Sequence, residues 1–214
     1  MLNMDFSQQL VINTQELEWQ QSPKPGVWRK LLAREDAERG QATSIVRYDA
    51  GAKFSKHEHP QGEEILVLEG IFSDETGDYP AGSYFRNPEG SSHEPFSQEG
   101  CVILVKLHQF QDNDRQKISI DTHNGTWLSG HGNLQVMPLH SHSGESTALV
   151  KWPAGERFVS HVHAGGEEIY VISGEFMDEH GRYPAGTWIR SPHMSRHHPY
   201  VEQDTVIFVK VGHL

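Results

Sequence analysis

Apolar residues in this chain come in short runs rich in β-branched and aromatic side chains, each cut off by glycine, proline, aspartate or asparagine. Thr43-Ser44-Ile45-Val46-Arg47-Tyr48 and Cys101–Leu107 are such runs, and Thr147–Trp152 and Thr205–Val211 repeat them. Segments of this length and composition between turn formers predict strands. In the Cys101–Leu107 and Thr205–Val211 runs both parities are apolar, which predicts burial on both faces of the sheet. No heptad, long amphipathic helix or low-complexity tract interrupts the pattern. Residues 1 to about 25 are polar and lack a clear period, and Ser22-Pro23-Lys24-Pro25-Gly26 reads as loop. Val27–Leu32 fits a strand or a short helical turn equally well.

The pattern is written twice. Asp74-Glu75-Thr76-Gly77-Asp78-Tyr79-Pro80-Ala81-Gly82 returns as Asp178-Glu179-His180-Gly181-Arg182-Tyr183-Pro184-Ala185-Gly186, and Lys106 and Lys210 occupy one slot. The polar stretch Asp112–Lys117 separates the halves, and Ser143-Gly144-Glu145-Ser146 is a turn within the second. An internal repeat of this length predicts two all-β domains, 1–115 and 116–214, with the boundary between 110 and 122.

Composition narrows the function classes. Hydrophobic content of 36% with 20 glycines and 11 prolines suits many short strands better than a bundle. Eighteen basic residues against 29 acidic ones leave a formal charge of −11, which disfavours direct nucleic-acid binding and anionic membranes. One cysteine, Cys101, leaves no intrachain disulfide and fits a reducing compartment. It heads an apolar strand, so a buried, inert thiol is expected rather than a redox sensor. Met1–Leu10 has no basic segment of the signal-peptide kind, and the apolar runs are too short to span a bilayer. The expected location is cytoplasmic.

Histidine and glutamate carry the chemistry. Gly51-x5-His57-x-His59-x3-Glu63-x6-Gly70 recurs as Gly155-x5-His161-x-His163-x3-Glu167-x6-Gly174. Each copy is followed by another histidine, His93 and then His197, and both His57 to His161 and His93 to His197 span 104 residues. Two histidines two apart on a strand leave the same face. The turn Pro60-Gln61-Gly62, or Ala164-Gly165-Gly166, then lets the glutamate opening the next strand reach back toward them. Glu64 and Glu168 compete for that role, but spacing favours Glu63 and Glu167, and alternation turns the second of each pair outward. Three imidazoles and a carboxylate suit a divalent metal, one per domain: zinc foremost, with iron, manganese or nickel as alternatives.

These motif pairs resemble the cupin signatures, over about residues 43–108 and 147–212. The surrounding wording, His-x-His-x2-Gly-Glu-Glu, then Tyr-Pro-Ala-Gly, then a proline before the last histidine, is similar to the ChrR type. The resemblance implies a bicupin: two tandem double-stranded β-helix, or jelly-roll, barrels with metal inside. It further implies a regulatory or sensing protein for sigma-factor-dependent transcription, since ChrR-type anti-sigma factors carry such a cupin as their sensing half. The alternative is a metal-dependent dioxygenase acting on a small diketone-like substrate, because similar cupins occur in such enzymes. Candidate partners are a sigma factor or another protein, a small molecule in the barrel, and a second copy of the chain. The His-x3-Cys-x2-Cys zinc motif of ChrR-type anti-sigma proteins is not in this sequence, which has no cysteine before Cys101.

Other residues carry weaker signals. Met194 stands where the first repeat has Gly90, an exchange that would alter the turn before His197. Arg86 and Arg190 recur at one slot and fit either an anionic substrate or a structural pairing. Phe85, Phe96, Trp152, Trp188 and Tyr200 line a pocket or fill core. His193 and His198 flank His197, whereas His123, His131, His140 and His142 show no ligand spacing to one another.

Overall fold

The computed structural model describes residues 1–214 and is built almost wholly of strands, with one short 3-10 turn at Thr14–Glu16. No helix is long and apolar enough to cross a membrane. The chain forms two compact units, each a jelly-roll barrel of antiparallel strands.

In the first unit the main sheet runs in the order Ile118–Asp121, Ser83–Asn87, Glu63–Asp74, Cys101–Leu107, Ala42–Tyr48, Val27–Arg34 and Gln20–Gln21. The strand Glu63–Asp74 is long enough to serve both walls. Its first half pairs with Ser83–Asn87 and Cys101–Leu107, and its second half pairs with Gly77–Pro80 and Phe96–Ser97. Gly70 sits where it passes from one to the other, at φ +69°. A Cβ there would lie 2.1 Å from the Gly100 carbonyl oxygen and 2.9 Å from Cys101 Cα, so only glycine fits. Gly174 repeats the arrangement at φ +78°, 2.4 Å from the Asp204 carbonyl oxygen. The closing glycine of each motif is therefore the barrel's corner.

The second unit repeats the order with Leu10–Asn13, Thr187–Ser191, Glu167–Ser173, Thr205–Val211, Glu145–Trp152, Gln135–His142 and Leu128–Ser129. Inward-facing side chains fill each barrel: Val46, Ile65, Val67, Phe72, Phe85 and Ile103 in the first, Val150, Trp152, Ile169, Val171, Phe176 and Ile207 in the second. The segment Val27–Arg34, ambiguous in sequence, is a strand, because it pairs along Ala42–Tyr48 with a single bulge at Leu32.

The flanking strands are exchanged. Leu10–Asn13 lies in a region that reads as polar and aperiodic, yet it forms the edge of the second unit, with Leu10 opposite Arg190 and Asn13 opposite Thr187. Ile118–Asp121 does the same for the first unit, with Ile118 opposite Arg86 and Asp121 opposite Ser83. Thr14 Oγ1 donates to the Gly186 carbonyl at 2.7 Å, and Thr122 Oγ1 donates to the Gly82 carbonyl at 2.5 Å, so the two edges end alike. The compact units are accordingly Met1–Met4 with Leu17–Asn124, and Asp5–Glu16 with Gly125–Leu214. A four-residue edge strand, paired on one side only, leaves too short a pattern to be read from the sequence.

Cys101 is 3% exposed, and burial pushes its thiol up to about 11. It should resist a thiol reagent at neutral pH in the folded protein and react fully in denaturant; rapid reaction in the native state would contradict this placement.

Candidate metal centres

Each cluster is assembled by a two-strand clasp and the start of a main-sheet strand. In the first unit, His57–Glu58 pairs with Ser92–His93 so that His93 lies opposite His57. The chain then turns through Gln61 and Gly62, both at positive φ, with Gly62 N–H donating to the His59 carbonyl at 3.2 Å. Glu63 follows at once, facing the histidines. In the second unit, His161–His163 pairs with Ser195–His197, Gly165 and Gly166 make the turn, and Glu167 follows. Within each set of four residues the ligand atoms lie within 4.8 Å of one another.

Outer partners aim the rings. In the first site His57 Nδ1 meets the Ser55 carbonyl at 3.0 Å, His59 Nδ1 meets Ser91 Oγ at 2.9 Å, and His93 Nδ1 meets Asp74 Oδ2 at 3.1 Å. Every Nδ1 is thus engaged outside, which leaves every Nε2 for the centre. His59 Nε2 and His93 Nε2 each lie 3.4 Å from Glu63 Oε2, and Asn87 Nδ2 donates to that oxygen at 3.1 Å. In the second site His163 Nε2 and His197 Nε2 lie 2.9 Å apart, and 3.5 and 3.6 Å from Glu167 Oε2. His161 Nδ1 is held by the Val159 carbonyl at 3.0 Å, and His197 Nδ1 faces Asp178 Oδ2 at 3.5 Å.

A divalent cation fits these residues. Metal–ligand bonds of about 2.0–2.2 Å place neighbouring ligand atoms roughly 3–4 Å apart, the spacing seen here. His59 Nε2, His93 Nε2 and Glu167 Oε2 are buried without a hydrogen-bond partner. Such orphans cost about 1–3 kcal/mol each unless something central satisfies them. Burial holds His59 down at about 4 and, with the neighbouring His197 and His161 rings adding to it, His163 at about 3, so both imidazoles are neutral and ready to ligate. Burial alone would also lower His93 and His197, but their bonds to Asp74 and Asp178, with the Glu63 and Glu167 carboxylates, outweigh it and raise both. Burial pushes Glu167 up to about 7, a cost that a cation would reverse.

Asp74 and Asp178 are the site residues that spacing rules alone overlooked. The His93 bond and two bonds from Thr76 overcome the burial of Asp74 and bring it to about 2, while bonds from His197 and Tyr183 hold Asp178 below its ordinary value. The signal was present in the repeat: Asp74 and Asp178 stand at matching positions, hidden inside what reads as a turn.

The remaining candidates fall elsewhere. Glu64 and Glu168 point to the opposite face from the ligands but are buried there, Glu64 accepting from Tyr84 Oη at 2.7 Å and Glu168 from Trp188 Nε1 at 3.3 Å. Arg86 is fully buried, donating to Asp114 at 2.7 Å and stacking 3.7 Å from the Phe110 ring. Arg190 donates to the Asp5 carbonyl at 2.9 Å, so both arginines have structural partners. Phe85 and Trp152 are core, and Tyr200 stacks under Arg157. His193 Nδ1 accepts from Gly165 N–H at 2.8 Å, bracing the ligand loop, and His131 packs edge-on against Phe158 at 5.0 Å. Met194 adopts φ +62°, close to the +85° of Gly90, so the turn before His197 survives at a cost of roughly 1–2 kcal/mol.

Each site opens onto a cavity. The first, about 550 Å³, is bordered by His57, His59 and Glu63 together with Val46, Phe54, Phe72 and Ile103. The second, about 440 Å³, is bordered by all four ligand candidates with Trp152, Phe158 and Ile207. His57 and His161 are half-buried, the most open member of each set, and lie on the cavity side.

Asp74→Asn should weaken metal binding at the first site by roughly 10- to 100-fold, because the amide no longer orients His93 or raises its basicity. Calorimetric titration of metal into stripped protein would show this as one weakened and one unchanged site. Two unchanged sites would remove Asp74 from the centre.

No curated protein matches this sequence. Among solved structures, a proposed dioxygenase from Nostoc punctiforme superposes with a TM-score of 0.82 at 16% identity, covering 96% of this chain and 82% of that one. Oxalate decarboxylase from Bacillus subtilis gives 0.67 at 14% identity, over 94% of this chain and 76% of that one. A cupin 2 conserved barrel domain protein from Leptotrichia buccalis gives 0.67 at 10% identity, over 99% of both. At these identities the likeness concerns the fold. The sequence profile of the ChrR cupin-like domain matches residues 7–111 and again 115–214, one copy for each repeat and each ligand cluster. The chain belongs to the ChrR cupin-like family, as a bicupin.

Proposed function

We propose that this bicupin is a metal-dependent enzyme of the dioxygenase type, acting on a small diketone-like molecule inside the barrel. The observation that carries this reading is that both ligand clusters open onto mainly apolar cavities of about 550 and 440 Å³. A site that serves folding alone is closed by its four ligands and needs no room beside it, whereas substrate sites are cavities of this size. The fold-level likeness to a proposed dioxygenase supports the reaction class by analogy.

In this reading His57, His59, Glu63 and His93 hold one metal, and His161, His163, Glu167 and His197 hold the other. The bound metal, iron(II) in this reading, supplies Lewis acidity and redox access for reaction with O₂. The protein supplies everything else. Asp74 and Asp178 keep two rings in place, and Asn87 fixes the Glu63 carboxylate. Phe54, Phe72 and Ile103 in the first cavity exclude water and receive the apolar body of the substrate.

A second reading is favoured by the family itself, whose ChrR members couple a cupin to sigma-factor control. There zinc fills both clusters, and a small molecule in the barrel alters contacts with a sigma factor or another protein partner. The two readings part on oxygen consumption. Iron(II)-loaded protein should consume O₂ in proportion to an added 1,3-dicarbonyl compound, and the His93→Ala/His197→Ala double variant should not. Absence of uptake with iron, manganese and nickel across a panel of small 1,3-dicarbonyls would overturn the enzymatic reading.

A further inference from the structure

The two cavities are built on one scaffold but differ in the charged groups of their walls. Arg29 stands opposite Val46 across the strand pair Val27–Arg34 and Ala42–Tyr48, and directly opposed residues share a face. At the matching place in the second barrel Val136 stands opposite Val150. Val46 and Val150 are equivalent in the repeat, so Arg29 replaces an apolar wall residue of the other barrel. Arg34 and Arg39 also border the first cavity, as do the carboxylates of Glu38 and Glu58, so the contrast with the second lies in guanidinium groups within the wall rather than in net charge. The second has no lysine or arginine in its wall, and beyond the four ligand candidates its sole ionisable residue is His131.

Packing does not require this cation. The second barrel closes with valine there, and burying a guanidinium to 15% exposure carries a desolvation cost that valine avoids. Its ion-pair partner is Glu38, on the turn between the two strands, which meets Arg29 through both oxygens at 2.9 and 3.2 Å. The same carboxylate lies 3.7 Å from Arg34, so one negative group faces two guanidinium groups. Glu38 is itself 54% exposed, hence easily displaced. Ser44, a buried residue of the same wall, has a hydroxyl with no hydrogen-bond partner, where the second barrel has Ala148.

We propose that the first cavity takes a small organic carboxylate, its carboxyl group received by Arg29 in place of Glu38, while the second cavity takes no anion. The planar fork of Arg29 matches a carboxylate through two parallel bonds, as the Glu38 contact already demonstrates. Phe54 and Phe72 meet the apolar body, and the far end of the ligand lies toward the histidine cluster. This assignment rests on the enzymatic reading for its sense as a substrate class, and it divides the barrels: one for an acidic substrate, the other for a neutral molecule.

Benzoate and its neutral counterpart benzamide test it, titrated calorimetrically into the zinc-loaded full-length chain. Benzoate should bind at one site per chain, and benzamide at least about tenfold more weakly. Arg29→Met should cost benzoate roughly 10- to 100-fold and leave benzamide unchanged, while Arg29→Lys, with charge but no fork, should fall between. Glu38→Gln should strengthen benzoate binding, whereas a mere brace for Arg29 would weaken it when removed. Equal affinities, no binding of either probe, or benzoate affinity that survives in Arg29→Met would each overturn the proposal. Repeating the titration on metal-stripped protein separates the two claims. Benzoate binding lost with the metal but indifferent to Arg29 would overturn the anion site and leave the enzymatic reading standing. Binding that depends on Arg29 in a protein that consumes no oxygen would do the reverse.

Discussion

Three imidazole nitrogens and one carboxylate oxygen must meet at a point inside each barrel, and this convergence governs the rest of the structure. With the Nδ1 atoms of all three rings engaged outside, the Nε2 atoms of His57, His59 and His93 are left to face one another and the Glu63 carboxylate, and His59 Nε2 and His93 Nε2 are buried without a hydrogen-bond partner. A cation at the centre would satisfy them. The requirement dictates the clasp that sets His93 opposite His57, the tight turn before Glu63, and the glycine corner at Gly70 that bends one strand across both walls. Its repetition in the second barrel, with the same aspartate behind the last histidine, gives both halves a cluster that could hold a metal ion.

Around this shared centre the barrels have diverged. The first carries Arg29, Ser44 and Tyr48 on its cavity wall, and the second barrel has Val136, Ala148 and Trp152 at the corresponding strand positions. Conserving the centre while changing the wall is how one scaffold can take two kinds of ligand. The left-handed Met194 fits the same picture, since the turn it occupies is retained in spite of its strain.

Much of this was legible in the sequence because it rests on local rules. The strand Cys101–Leu107 announces burial on both faces by its unbroken apolar run, and residues of both parities are buried. The two clusters of candidate ligands were legible because a strand places His57 and His59 on one side and the repeat doubles the signal. The exchanged strand Leu10–Asn13 was not, because four residues with one neighbour carry no period of their own. Asp74 was missed because a residue that acts through His93 leaves no spacing rule, only a repeat position. Arg29 was invisible for a similar reason: its meaning lies in facing a cavity where its counterpart is Val136, and that needs the register of both barrels. Arg86 drew attention by recurring, and recurrence there marks a buried structural pairing.

The central claim is that each barrel holds its own metal through its own four side chains. Elemental analysis of protein purified without added metal, set against His93→Ala and His197→Ala purified in the same way, tests it most directly. The account predicts about two metal ions per chain in the parent and about one in each variant, with the remaining site unaffected. A parent chain without metal, or a single substitution that empties both sites, would contradict it.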